Sequence, residues 1–109
     1  MLVEIRQAEN ALVVTVSERR IDASVAMQFK SALQEAVGDL EGPVVLDLSR
    51  VEFLDSSGLG AVVGSMKFLG RERRLFLAGL TQTVEKVFRI TRMDKVFEIY
   101  PSVEEALQY

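Results

Sequence analysis

Between Phe53 and Gly64 the chain reads FLDSSGLGAVVG, with an aspartate and two serines ahead of three glycines in seven residues. Ser56 and Ser57 stand where a strand pattern gives way to a helix pattern, so their hydroxyls belong at a helix N-terminus. The ordinary work there is capping. Asp55 and Ser56 are both good caps, which leaves two of the three polar side chains redundant for that purpose. A hydroxyl at this place can also carry a phosphate, because unpaired N–H groups and the positive end of the helix dipole favour a dianion. Phosphorylation would add a charge of about −2 at the head of the helix without melting it.

Other chemistry is poorly supplied. The chain has no histidine and no cysteine. That removes the commonest general base, Ser-His triads, nearly all zinc sites, disulfides and thiol chemistry. The glycines spell G-x-G-x-x-x-G after a strand, but a dinucleotide site also wants an acidic residue ending the next strand, and LFLAGL has none. Asp47 in VVLDLS ends a strand as a phosphoacceptor aspartate does, without the acidic pair and late lysine such a site needs. Asp22, Asp47, Glu52 and Asp55 could gather round Mg²⁺, although their spacing matches no metal loop. Lys67, the nearest lysine in sequence, is turned about 80° from Ser57 on a helix. No catalytic, metal or cofactor site is expected, and the chain reads as no enzyme.

The balance of charge and hydropathy narrows the partners. A net charge of −3, with no basic stretch longer than RERR (Arg71 to Arg74), argues against nucleic acid. No apolar run approaches the roughly 20 residues that span a bilayer, so no membrane partner is expected. The opening MLVEIRQAEN alternates as a strand does and shows no leader pattern. With the absence of cysteine this fits a cytoplasmic protein.

The elements that must position the serines follow from periodicity. At 109 residues one domain, 1–109, is expected. Leu2, Val3 and Ile5 begin a strand, Glu9 and Asn10 turn, and ALVVTVS makes a second strand. Asp22 can cap a helix from Ala23 to Val37, with Val25, Phe29, Ala32, Leu33, Ala36 and Val37 on one stripe. GPVVLDLS is a strand covered on both faces. A helix over 57–70, a strand over 74–79, a helix over 83–91 and a strand over 95–100 follow. PSVEEALQY closes as a helix, with Ser102 and Glu105 at capping-box spacing. The fold class is α/β: a mixed, mostly parallel sheet with an N-terminal antiparallel strand and about four helices.

Winding the central helix at about 100° per residue puts Leu59, Val62, Val63, Met66 and Leu69 on one side, toward the sheet. Ser57, Ala61, Gly64 and Phe68 fall on the other, with Gly60 flanking. Either the glycines let the helix approach a neighbour in its own domain, or they keep an outward face flat for a partner. An exposed strip of small and aromatic residues fits the second use, because small side chains let a partner's backbone come close.

These residues resemble a known family. LDSSGLGAVV preceded by VVLDLSRVEF, with RRIDASVAMQFKSAL upstream and KVFEIYPSVEEAL at the end, is similar to the STAS domain of bacterial anti-sigma factor antagonists. The likeness covers essentially the whole chain, and D-S-S-G-L-G is its specific part. It implies the fold above, with Ser57 as the phosphorylation site. It implies that an anti-sigma factor with serine kinase activity docks on this helix and that phosphorylation ends the complex. A metal-dependent serine phosphatase then restores the active form. Asp22 matches the family's aspartate near the phosphoserine loop. The expected partner-binding set is Asp22, Asp55, Ser56, Gly58, Gly60, Ala61, Gly64 and Phe68. A monomer or a weak homodimer is expected.

The chain departs from the family at ERRID, Glu18 to Asp22, which is one residue longer than the usual Gly-Glu-Leu-Asp. Arg19 and Arg20 either approach a phosphate on Ser57, alter the pairing with the kinase, or are solvated loop residues. Two other uses of such a domain stay open: a constitutive subunit of a lipid-transport or stressosome-like assembly, and a nucleotide sensor.

Overall fold

The computed structural model describes residues 2–38, 40–70 and 73–109. Arg71 and Glu72 of the RERR stretch lie outside the described residues. Strands β1 (Val3–Gln7) and β2 (Leu12–Val16) form the expected antiparallel hairpin. β4 (Val44–Asp47), β6 (Leu75–Ala78) and β7 (Glu98–Tyr100) add to β2 in parallel, giving the order β1-β2-β4-β6-β7.

Alternation along the central strands makes two cores. Leu12, Val14, Val16, Leu46 and Leu77 face a large apolar layer. That layer is filled by α1 (Ala26–Val37), α2 (Ser56–Leu69) and α3 (Gln82–Ile90), through Phe29, Leu33, Val62, Leu69, Val84 and Phe88. Val13, Val45, Phe76 and Ala78 face the opposite side, where Ala106 of α4 (Val103–Ala106) covers them together with Tyr100 and Leu107. The helices over both faces explain why VVLD in β4 is continuously apolar up to its last residue. Among the described residues no helix is long and apolar enough to cross a membrane.

Several boundaries differ from expectation for local reasons. α1 starts at Ala26 rather than Ala23, and Asp22 does not cap it. The Asp22 carboxylate instead accepts from the Ser24 backbone N–H at 3.0 Å and the Ser24 hydroxyl at 2.6 Å, closing a turn one step ahead of the helix. The last strand begins at Glu98, because Met93–Lys95 form a single 3₁₀ turn after Arg92, which holds a positive φ of 63°. In α4 the Ser102 hydroxyl accepts from the Glu105 N–H at 3.1 Å.

One feature has no periodic signature at all. β3 (Arg20–Ile21) and β5 (Phe53–Leu54) pair in parallel, two residues each, apart from the main sheet. The Arg19 carbonyl also accepts from the Glu52 and Phe53 N–H groups, at 2.7 and 3.1 Å. This short ladder ties the segment before α1 to the segment before α2, and so brings Asp22 and Asp55 onto neighbouring loops.

Candidate functional site

Asp55 settles the competition among the three polar residues ahead of the glycines. Its backbone is extended, and its carboxylate accepts from the Gly58 N–H at 2.9 Å, so it is the N-cap of α2. Ser56 and Ser57 become the first two helical residues. Both are exposed, and among the described residues neither hydroxyl bonds to the protein. The Gly58 N–H goes to the cap and the Leu59 N–H to the Asp55 carbonyl at 2.8 Å. The Ser56 and Ser57 N–H groups precede that ladder and stay available at the positive end of a 14-residue helix.

Gly58 is buried, not part of an outward face. A Cβ built there would stand 2.0 Å from the Ile21 carbonyl oxygen, so the residue lets the head of α2 lie directly on β3. The Asp55 N–H reaches the same carbonyl at 3.4 Å. Ala61 is also turned inward, 7 % exposed, and Ser65 is fully buried with its hydroxyl donating to the Ala61 carbonyl at 2.8 Å. Leu59, Val63 and Met66 are only half buried and pack at the margin of the core. The inward side is therefore centred on Gly58, Ala61, Val62, Ser65 and Leu69, about 80° round the helix from the side hydropathy selects. The cause is a second neighbour: α2 packs along α1 as well as on the apolar layer, with Gly60, Ala61 and Gly64 opposite Ala26 and Lys30.

The rest of the strip remains at the surface. Gly60 faces open space, and Phe68 is 49 % exposed. Phe68 stands on the same line of the helix as Ser57, about 16 Å along its axis. Gly64 is half buried because the Lys30 side chain lies across it; a Cβ there would come 3.1 Å from both Cε and Nζ. Ser57, Gly60 and Ala61 line one wall of a shallow groove of about 310 Å³, and Ala23, Ala26, Met27 and Lys30 of the α1 region line the other. Met27 is 81 % exposed. The site is thus a two-helix surface: small at its floor, walled on the α1 side by Met27 and the Lys30 side chain, and headed by a serine hydroxyl with no partner among the described residues.

A family model described as the STAS domain matches residues 3–106. The chain belongs to the STAS domain family of anti-sigma factor antagonists. It is 35% identical over 99 residues to an anti-sigma-B factor antagonist of Listeria monocytogenes, covering 89% of this chain and 86% of that protein. An anti-sigma factor antagonist from Mycobacterium paratuberculosis has a crystal structure that superposes with a TM-score of 0.87 at 30% identity, covering 97% of this chain and 90% of that one. The phosphorylated form of the Bacillus cell fate determinant SpoIIAA shares the fold, with a TM-score of 0.67 at 22% identity over 97% of this chain and 96% of its own.

In this STAS domain Asp22 sits beside the site and is held in its turn. Its carboxyl lies below the ordinary aspartate value, chiefly because the Ser24 hydroxyl bonds to its charged form. The Ser24 N–H and Arg20 act the same way, against the opposing effect of partial burial. Arg20 is occupied locally: its Nε is 3.4 Å from Asp22 Oδ2, and its guanidinium stacks 4.1 Å from the centre of the Phe53 ring. Arg19 reaches Glu52 at 3.7 Å in solvent. Neither arginine lines the groove at Ser57. Asp47 is a hydrogen-bonded strand end, accepting from Thr15 Oγ1 at 3.3 Å and the Ser49 N–H at 3.0 Å. Among the described residues no three acidic side chains converge, so Asp22, Asp47, Glu52 and Asp55 do not form one cluster.

Sequence reasoning missed the α1 half of the site. Lys30, not Lys67, is the lysine that shares the groove with Ser57. It makes no Ser–Lys pair, because its Nζ lies over Gly64, about 10 Å down the helix axis from Ser57. The available signal was Met27, an apolar residue off the buried stripe of its own helix.

Proposed function

We propose that this protein is an anti-sigma factor antagonist whose unphosphorylated form binds and sequesters an anti-sigma factor with serine kinase activity, thereby freeing a sigma factor. One observation carries the switch. Asp55 takes the helix cap, so the Ser57 hydroxyl is left exposed, with no partner among the described residues, at the head of a two-helix groove walled by Ala23, Ala26, Met27 and Lys30. Phosphorylation there adds about two negative charges where free N–H groups can accept them, so the fold is retained. A partner covering the groove would have to desolvate that dianion, and the complex dissociates. A metal-dependent serine phosphatase resets the protein. The relatives' names support the antagonist role, and SpoIIAA, solved in both unphosphorylated and phosphorylated forms, is a relative in fold that is modified.

The proposed contact residues are Ser56, Ser57, Gly60 and Phe68 on α2 and Met27 on α1, with Ala61 and Gly64 keeping the floor low. Asp22, Asp55 and Gly58 act from beneath by positioning the head of α2. The test begins with phosphopeptide mapping of the protein from its host, growing and stressed. It continues with capture of the partner on Ser57→Ala and calorimetry of that partner against unmodified and Ser57-phosphorylated protein. Binding by the unmodified and Ser57→Ala forms, lost on phosphorylation, is expected. Equal affinity of the phosphorylated form would refute the switch.

A further inference from the structure

β1 closes one side of the five-stranded sheet, and its outer edge pairs with no strand among the described residues. The hairpin decides which backbone groups face outward. The Ala8 N–H donates to the Ala11 carbonyl at 2.9 Å and the Ser17 N–H to the Leu2 carbonyl at 2.8 Å, in register with Val3 opposite Val16. Even-numbered residues from Leu2 to Ala8 therefore bond toward β2, and Val3, Ile5 and Gln7 aim their N–H and C=O groups at the open edge. The strand has no proline, no bulge and no lysine, and its two charges, Glu4 and Arg6, are of opposite sign. Ile5 is 53 % exposed and, with Leu2, Val3, Ala32 and Ala36, lines an apolar groove between this edge and α1, rimmed by Glu35. On the other face of the strand Glu4 and Arg6 flank Ile5, one residue to either side.

We infer that β1 pairs antiparallel with β1 of a second copy about a twofold axis at Ile5, joining two sheets into one of ten strands. In that register Ile5 meets Ile5, Val3 meets Gln7, and Glu4 of each copy meets Arg6 of the other. Every outward-facing pair is then in hydrogen-bonding phase. Charge selects this register. An axis at Val3 sets Glu4 opposite Leu2, an axis at Gln7 sets Arg6 opposite Ala8, and an axis at Glu4 or Arg6 keeps the hydrogen-bonding phase but sets Glu4 against Glu4 or Arg6 against Arg6. Glu4 is already oriented by Arg50 at 2.9 Å and Ser17 at 3.2 Å, whereas Arg6 makes no ion pair among the described residues. The interface takes the second half of α1, and the groove at Ser57 takes the first half, so a dimer presents two separate docking grooves.

Sedimentation equilibrium of the full chain, from micromolar to millimolar concentration, tests this. The wild type is expected to pass from one to two chains per particle. Arg6→Glu sets like charges opposite one another twice per dimer and should weaken association about tenfold. Glu4→Arg should do the same. An equimolar mixture of the two variants should associate as the wild type does, because each glutamate then meets an arginine. Ile5→Lys, which brings two lysines to the axis, is the second disruptor should either charge variant unfold by circular dichroism. A wild type that stays monomeric throughout, variants that associate unchanged, or a mixture that fails to recover would each overturn the proposal.

Discussion

Gly58 and Gly60 are two residues apart on one helix, and alanine should act on them in opposite directions. At Gly58 the new Cβ meets a backbone oxygen at 2.0 Å, and the gap must open by about 1.4 Å to reach the 3.4 Å of ordinary contact. No side chain can swing aside, because the obstacle is the Ile21 carbonyl on β3. Either α2 lifts from β3 or the two-residue ladder between β3 and β5 breaks. Overpacking of this kind costs about 1–3 kcal/mol, and alanine's helix preference returns less than about 1 kcal/mol in the first turn. The net loss should be about 1–2 kcal/mol, lowering the melting temperature by about 4–8 °C for each kcal/mol. At Gly60 nothing lies within 4 Å, so alanine keeps its helix preference and should stabilise by about 0.4–1 kcal/mol. Urea titration followed by circular dichroism measures both with one slope. A Gly58→Ala protein as stable as the wild type would refute the claim that glycine is there for close approach.

Asp55→Ala removes the cap of α2 and should cost about 1 kcal/mol in the same titration, with Asp55→Asn recovering most of it. Ser24→Ala should raise the Asp22 pKa toward the ordinary aspartate value, read by NMR titration of the carboxyl carbon. The sign for stability follows. A depressed carboxyl contributes fully above its unfolded pKa and loses that contribution as pH falls through the folded value, so the variant should lose less stability between pH 5 and acid than the wild type. Phe68→Ala should leave folding unchanged within about 0.5 kcal/mol, since half the ring is already in solvent. It should weaken binding of the captured kinase about tenfold or more if the ring anchors the interface; unchanged affinity would remove Phe68 from the docking surface.

The α/β order, the antiparallel first hairpin, the buried central strands and the serine at a helix head were all legible in the sequence. Each leaves a local trace. Strict alternation marks a half-covered strand, a continuous apolar run marks a covered one, and Asp-Ser-Ser before a glycine-rich helix marks an N-terminus with more polar groups than a cap requires. Which of those groups caps was not legible, because Asp55 and Ser56 are near-equal in preference and only geometry chose Asp55. The orientation of α2 was also beyond reach. Hydropathy favours the largest apolar residues, so it pointed Leu59, Val63 and Met66 inward, while the buried side also holds Ala61 and Ser65, which carry little hydropathy and bury well. Gly58 is expected from sequence in the partner-binding set, and its contact with Ile21, 37 residues away, instead puts it beneath the head of the helix. Lys30 and Met27 entered the site for the same reason. Periodicity reports how one helix is sided, and the contact between two helices depends on coordinates that no single stretch of sequence contains.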